Sequence, residues 1–189
     1  MSRNLRNATA ALKRRLFRLP ILRRFARNQD GATTVEFAMV ITPFLALLLA
    51  IFETAIIFFA SQTLETAVAD SSRLIMTGQA QLGGYDQVKF KQSVCSKILA
   101  LFDCTNGVYV DVKKYTSFAQ AGSGKPLDAN GNLVNNFTYQ PGGPGDIVVV
   151  RVMYQWPVYV SLLGFNMADM AGNKRLLLAT SAFRNEPYQ

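Results

Sequence analysis

The chain has 189 residues, and its 20 Lys and Arg against 12 Asp and Glu give a formal net charge of +8. The whole excess lies in residues 1–31, which hold nine basic residues and one Asp, while the rest of the chain is balanced. A nucleic-acid-binding domain needs basic residues over a folded face, so we expect no nucleic acid as a partner. The absence of His excludes His-based catalysis, and two Cys are too few for a metal cluster. We therefore expect no enzyme activity, no catalytic residue, no metal and no cofactor.

Residues 1–31 form a basic leader in which Arg and Lys alternate with Leu, Ile and Phe. A basic amphipathic segment suits the anionic inner leaflet of a membrane. A mitochondrial transit peptide has the same Arg-rich, acid-poor composition, and that alternative stays open at this point.

A 24-residue apolar run, 37–60, follows the leader, and Glu53 is its only charged residue. A helix of that length rises about 36 Å, enough to cross a hydrocarbon core of about 30 Å. A buried helix of a soluble protein is the alternative, but such helices rarely stay nearly uncharged over 18 residues. Lys and Arg are retained on the cytoplasmic side, so we expect a cytoplasmic N-terminus, with 61–189 outside. The sequence predicts a single-pass membrane helix that contacts lipid.

The junction between leader and apolar run reads GATTVEF from Gly31 to Phe37. It resembles the processing site of type IV prepilins, which a membrane-embedded prepilin peptidase cuts after the glycine. The resemblance implies cleavage after Gly31, with Ala32 as the new N-terminus and Glu36 as the fifth residue of the product. Prepilins usually carry Lys or Arg before the glycine, where this chain has Asp30.

The longer stretch 31–73 is similar to the TadE-like minor pseudopilins of tight-adherence (Flp-type) pilus systems. The similarity rests on the VEFA run, the apolar run and Pro43 within it. It implies a role in biogenesis of an adhesive pilus, in the bacterial inner membrane with a periplasmic C-terminal domain. Implied partners are prepilin peptidase, other pilins and pseudopilins, an inner-membrane assembly platform and a motor ATPase. The alternative function is an uncleaved single-pass envelope protein with an outward-facing binding domain.

Two carboxylates accompany the apolar run, and such a group costs a few kcal/mol toward the bilayer centre. Cleavage would create an amine at Ala32, and a neighbouring subunit could offer that amine to Glu36. Glu36 and Phe37 would then set the register and packing between subunits. The alternative is that Glu36 is an ordinary first-turn helix residue. Glu53 lies about 24 Å beyond Phe37, near the outer interface, where it either snorkels or makes an intramembrane contact with another subunit.

The remaining sequence predicts an α+β fold. The apolar helix continues as a stalk to residue 78, and residues 79–189 form an extracytoplasmic domain. Asp86 caps a second helix whose apolar positions recur every four residues as far as Phe102. Period-two and β-branched segments then predict three strands, beginning at Val108 and covering 147–156 and 174–184, with a long loop over 117–145. The simplest assembly is a small antiparallel sheet covered on one face by the helices.

Cys95 and Cys104 lie outside by the orientation argued above, where thiols oxidise. Nine residues apart in one helix they would be about 13 Å from each other, which is too far for a disulfide. We predict a disulfide, which requires the second helix to end before Cys104. Two buried free thiols are the alternative.

Overall fold

The computed structural model describes residues 31–98, 102–122, 124–159 and 166–188. The chain divides into two compact units, Met1–Leu48 and Leu49–Gln189. The predicted basic leader, apart from Gly31, lies outside the described residues.

The first element, α1, is a helix of 45 residues from Ala32 to Met76. It begins directly after Gly31 and contains Pro43, the only helix breaker in it. Two residues after its end, Gly78 has a φ of 77°, a left-handed conformation that favours glycine. The predicted end of the long helix is thereby confirmed to within two residues.

Two short helices follow, α2 at Gln79–Leu82 and α3 at Gln87–Cys95. The Asp86 side chain accepts a hydrogen bond of 2.7 Å from the backbone N–H of Lys89, which caps α3 as predicted. The prediction that this helix continues to Phe102 is wrong. The helix ends at Cys95, and Phe102 reaches the core from a turn, where its ring meets the edge of Tyr154 at a centroid distance of 4.9 Å.

Three strands form one antiparallel sheet in the order β1-β2-β3. β1 is Val108–Tyr115, β2 is Ile147–Pro157 and β3 is Lys174–Arg184. Val108 lies opposite Tyr154, and Tyr154 lies opposite Leu177. All three strands begin within a residue of the predicted positions, and the predicted α+β fold class is confirmed.

One face of the sheet packs against the helices and forms the main hydrophobic core of the second unit. The sheet contributes Val108, Val110, Val112, Val148, Val150, Val152, Tyr154, Trp156, Leu177 and Ala179. The helices contribute Ile57, Ala60, Leu64, Ala67, Val68, Ile75, Phe90 and Val94. Removal of these apolar side chains from water is the main driving force for folding of this unit.

The sequence predicts that α1 beyond residue 60 is a stalk and that the domain begins at 79. The structure differs, because the second unit begins at Leu49 and the helix buries Ala60, Leu64 and Ile75 completely. Positions three and four residues apart lie on one side of a helix, and here that side is apolar. The carboxyl-terminal half of α1 is therefore a core element of the second unit.

The opposite face of the sheet is partly covered by the long connection between β1 and β2. The backbone N–H of Val112 donates to the carbonyl of Thr138 at 2.8 Å, and its carbonyl accepts from Gln140 at 2.8 Å. This connection contains a 3₁₀ turn at Phe118–Gln120 and pairs along the outer edge of β1. The predicted exposed loop is thus tied to the sheet in its second half.

The carboxyl-terminal residues return to the end of α1. The N–H of Glu186 donates to the carbonyl of Met76 at 2.8 Å. A Cβ atom on Gly78 would lie 2.3 Å from the Tyr188 ring, so only glycine lets the ring approach this closely. Glu186 and Tyr188 therefore contact the carboxyl end of α1.

Candidate functional site

The residues of the predicted processing site lie at the amino end of α1. Among the described residues, an ideal Cβ atom on Gly31 would meet no heavy atom within 4 Å, so Gly31 is open toward that part of the chain. The helix begins at Ala32, and Glu36 is its fifth residue, exposed and outside the first turn. The first turn holds no acidic residue, which does not match the alternative of Glu36 as a first-turn residue. Phe37 follows it with 65% of its surface exposed.

From Phe37 to Phe52, α1 exposes large apolar side chains on all sides. The exposed residues of this kind are Phe37, Met39, Val40, Phe44, Leu45, Leu47, Leu49, Ile51 and Phe52. Among the described residues, α1 is the one helix long and apolar enough to cross a membrane, with a mean hydropathy of 2.4 in its most apolar window. It is consistent with a single-pass membrane anchor.

Two threonines in the apolar run donate hydrogen bonds to the backbone of their own helix. Thr42 Oγ1 donates to the carbonyl of Ala38 at 2.7 Å, and Thr54 Oγ1 donates to the carbonyl of Ala50 at 2.8 Å. Bonds to a carbonyl four residues earlier let Ser and Thr sit within a helix without another partner. Each threonine is therefore compatible with an apolar environment.

Glu53 is 9% exposed, the first buried residue of α1. Its Oε1 atom accepts a hydrogen bond of 2.6 Å from the backbone N–H of Tyr159, which follows β2. The neighbouring hydroxyl of Thr54 also contacts Met167 Sδ, at 3.4 Å. Sequence reasoning missed this arrangement, because the hydrogen bond joins residues 106 positions apart and neither end carries a local signal.

Cys95 and Cys104 form a disulfide with a Cα–Cα distance of 5.9 Å, as predicted. Cys95 is the last residue of α3, and the turn that follows carries Cys104. Asp103 organises this turn, since its Oδ1 accepts from the backbone N–H of Thr105 at 3.1 Å and of Asn106 at 3.2 Å. The hydrogen bond from Asn106 is the main cause that holds the pKa of Asp103 below its usual value.

A second polar cluster, also missed from the sequence, lies on the face of the sheet away from the helices. Period-two alternation predicts that Asp111 points to solvent, but it is 4% exposed. Its carboxylate accepts from the backbone N–H of Thr138 at 3.0 Å and pairs with Lys113 at 3.1 Å. Asp111, Lys113 and Arg151 line part of a cavity of about 290 Å³ under the β1–β2 connection. The β1–β2 connection covers the carboxylate and buries it. No hydrophobic period in the sequence predicts this.

Nearby, Tyr139 packs against Phe90 with ring centroids 5.8 Å apart. Burial away from water raises the pKa of its phenol to about 12. Tyr139 is thus an uncharged part of the packing at neutral pH.

The predicted site residues fall into three groups. Gly31, Glu36 and Phe37 lie in the first unit, at the amino end of α1. Glu53 and the disulfide lie in the second unit, where Glu53 bonds to the residue after β2 and the disulfide joins α3 to its following turn.

Comparison with known proteins finds a match over the first of these groups and the helix that follows it. Residues 31–73 match the family model described as TadE-like protein. The match covers the open junction at Gly31, the exposed apolar part of α1 and most of its packed part. A search of curated proteins and a search of solved structures found no match. Over residues 31–73, α1 and its junction at Gly31 are thus similar to TadE-like proteins.

Proposed function

We propose that this chain is a minor pseudopilin, processed by prepilin peptidase after Gly31 and used in biogenesis of an Flp-type adhesive pilus. The TadE-like family implies a role in assembly of the Tad pilus. The observation that carries the finer proposal is the start of α1 at Ala32, directly after an open glycine and one turn before Glu36. Cleavage at that point would release the basic leader and leave a product that is helical from its first residue.

The proposed orientation has the leader in the cytoplasm and the sheet of the second unit in the periplasm. Nine basic residues precede the apolar run, and the first one after it is Arg73. This asymmetry favours retention of the leader on the cytoplasmic side. The disulfide supports the same orientation, since disulfides persist in the periplasm and rarely in the bacterial cytosol.

The exposed part of α1 would first be a membrane anchor and then a packing surface for other subunits. In lipid its apolar side chains need no protein partner, and in a pilus the same side chains would pack against neighbouring helices. Glu36 would accept the new amine of Ala32 from a neighbouring subunit, and Phe37 beside it would pack between the helices. Such a pair neutralises two charges that are costly at the membrane and fixes one register between helices.

The partners that follow are prepilin peptidase for the cut, other pilins and pseudopilins for the helix, and the inner-membrane assembly platform for extraction. The sheet of the second unit would stay outside the membrane-embedded bundle and be presented outward. Its role is structural, with no chemical step assigned to it.

The processing step is tested by the intact mass of the membrane-bound protein, produced with and without prepilin peptidase. We expect loss of residues 1–31 only when the peptidase is present, and loss of the cut in Gly31→Val. Gly122→Val is the matched control, because Gly122 is also an exposed glycine with open space beside it. Retention of residues 1–31 in both strains would contradict the proposal.

Asp30 gives a second test of the same step. Lys or Arg is usual before the glycine of a prepilin, so Asp30→Lys should raise the cleaved fraction at limiting peptidase. Asp30 is also the residue that favours the other candidate function, an uncleaved single-pass envelope protein with an outward-facing binding domain. A precursor that stays intact in the native strain, together with an unchanged Asp30→Lys variant, would favour that candidate.

A further inference from the structure

The exposed side of α1 stays apolar well beyond Glu53. Phe52, Ile56 and Phe59 are 59%, 46% and 54% exposed, and the next charged residue in the sequence after Glu53 is Glu65. Six residues of helix separate Glu53 from Phe59, which corresponds to about 9 Å along the axis. Any environment that shields this exposed side must therefore extend about 9 Å past Glu53.

The opposite side of the same turns of α1 is covered by other residues of the second unit. The Glu53 carboxylate accepts a hydrogen bond from the backbone N–H of Tyr159, and the Thr54 hydroxyl contacts Met167. Residues between β2 and β3 therefore contact α1 at the turn that carries Glu53 and Thr54. Helical side chains tilt toward the amino end, so the Glu53 carboxylate lies no farther along the axis than its own Cα atom. Tyr159 is therefore fixed about two turns before the exposed apolar side ends.

We propose that Tyr159 lies in the outer leaflet of the membrane that α1 spans, so that the second unit contacts lipid directly. The proposal rests on the membrane anchoring stated above. A hydrocarbon core takes about 20 helical residues, and counted from Phe37 these end at about Ile56, beyond Glu53. Tyr159 is 80% exposed, and tyrosine is enriched at membrane interfaces because its ring is apolar and its hydroxyl is polar.

Glu53 is the positioning residue in this arrangement. Irregular backbone at membrane depth is tolerated only where its N–H and carbonyl groups have partners within the protein. The hydrogen bond of 2.6 Å from the Tyr159 N–H to the Glu53 carboxylate supplies such a partner. The pair therefore satisfies the Tyr159 N–H group without water.

The opposite end of the sheet supplies a control position. From Pro157 back to Ile147, β2 runs 11 residues, about 33 Å at 3.3 Å per residue. Ile147 lies opposite Tyr115, the last residue of β1, and Phe118 follows three residues later. Phe118 is an aromatic residue, 54% exposed, at the end of the sheet away from Tyr159. It should face water.

The test measures the depth of spin labels in the full chain, reconstituted in phosphatidylethanolamine–phosphatidylglycerol vesicles. Tyr159→Cys, Phe118→Cys and Phe44→Cys each introduce one free thiol, since both native cysteines form the disulfide. Collisions with oxygen report lipid, and collisions with a water-soluble nickel chelate report water. We expect an oxygen-to-nickel ratio several-fold higher at 159 than at 118, with 44 also in lipid.

Equal water access at 159 and 118, with 44 in lipid, would overturn the lipid contact and leave the membrane anchor intact. Water access at 44 would overturn the anchor itself, and with it this inference. Shielding of 159 that occurs only after other pilins are added would assign the surface to a protein partner and would also overturn the lipid contact.

Two variants of Glu53 test its positioning role. Glu53→Gln keeps an oxygen that can accept from the Tyr159 N–H, so the label at 159 should keep its depth. Glu53→Leu removes the acceptor but not the apolar character of the helix, so the label should become more mobile and shift toward water. An unchanged depth in Glu53→Leu would show that other contacts hold Tyr159 and would overturn the role given to Glu53.

Discussion

The two parts of α1 on either side of Glu53 have opposite surroundings. From Phe37 to Phe52 the large side chains are exposed on every side, whereas from Glu53 to Ile75 one side is buried in the core of the second unit. A helix that is apolar all round has to be shielded by something outside its own chain, and one with a single buried stripe is stabilised by its own domain. One continuous helix thus joins an exposed apolar surface to the hydrophobic core of the second unit.

The largest expected effect on stability comes from the same Leu→Ala substitution made in each of the two parts of α1. Leu64→Ala removes a fully buried side chain and should cost about 2 to 5 kcal/mol of the free energy of unfolding. Leu47→Ala alters a side chain that is 58% exposed and should change that free energy by less than about 0.5 kcal/mol. Thermal unfolding in detergent micelles, followed by the fluorescence of Trp156, measures both. Equal losses would show that both parts of the helix are packed alike.

The disulfide should stabilise the packed unit alone. Cys95→Ser with Cys104→Ser opens a short loop and should cost about 2 to 3 kcal/mol by the loop-entropy model. Membrane insertion depends on the apolar part of α1 and should not change, which alkaline extraction of membranes can check. A doubly substituted protein that leaves the membrane fraction would contradict this separation.

Two glycines distinguish backbone strain from packing at the carboxyl end of α1. Gly78 and Gly84 have φ values of 77° and 58°, so alanine should cost about 1 kcal/mol at either position. Only at Gly78 would the new Cβ atom also meet the Tyr188 ring. Gly78→Ala should therefore lower the thermal midpoint more than Gly84→Ala, and equal midpoints would mean that the Tyr188 contact contributes nothing.

The smallest effect concerns acid stability at the turn before β2. The N–H of Gly143 donates to Asp146 at 2.8 Å, and this hydrogen bond, aided by Lys114, holds the pKa of the carboxyl below its usual 3.8. Because the pKa of Asp146 is lower in the folded than in the unfolded protein, its ionised carboxylate stabilises the fold above about pH 4. This stabilisation is lost as the pH falls further. Asp146→Asn should therefore melt slightly below the parent at pH 7, with the gap closing below pH 4. A gap that stays constant with pH would exclude the carboxylate as its source.

Sequence reasoning predicts the elements of this fold well where one period dominates. The valines from Val108 to Val112 alternate, and the segment from Ile147 is β-branched, so both strands are found near their predicted bounds. It fails at Phe102, where the four-residue spacing continues past the end of α3. That spacing reports burial, and a side chain in a turn can reach the same core as one in a helix.

The residues of the candidate site also differ in how far the sequence predicts them. Gly31, Glu36 and the apolar run are consecutive in the chain, so their relation can be predicted from the sequence and its resemblance. The partners of Glu53 and Asp111 come from distant connections, Tyr159 and Thr138. Hydrophobic periods describe regular elements, and these partners are backbone groups of irregular segments.

The core to which α1 and β3 both contribute also sets an order of events during synthesis. Leu64 leaves the ribosome long before Leu177, which belongs to the same core, so the packed side of the helix waits for about a hundred residues without its partner. The end of β3 and the Tyr188 ring, which lies against Gly78, are synthesised later still. A nascent chain truncated before β3 would lack part of this core, so chaperones and proteases should act on the protein until β3 has been synthesised.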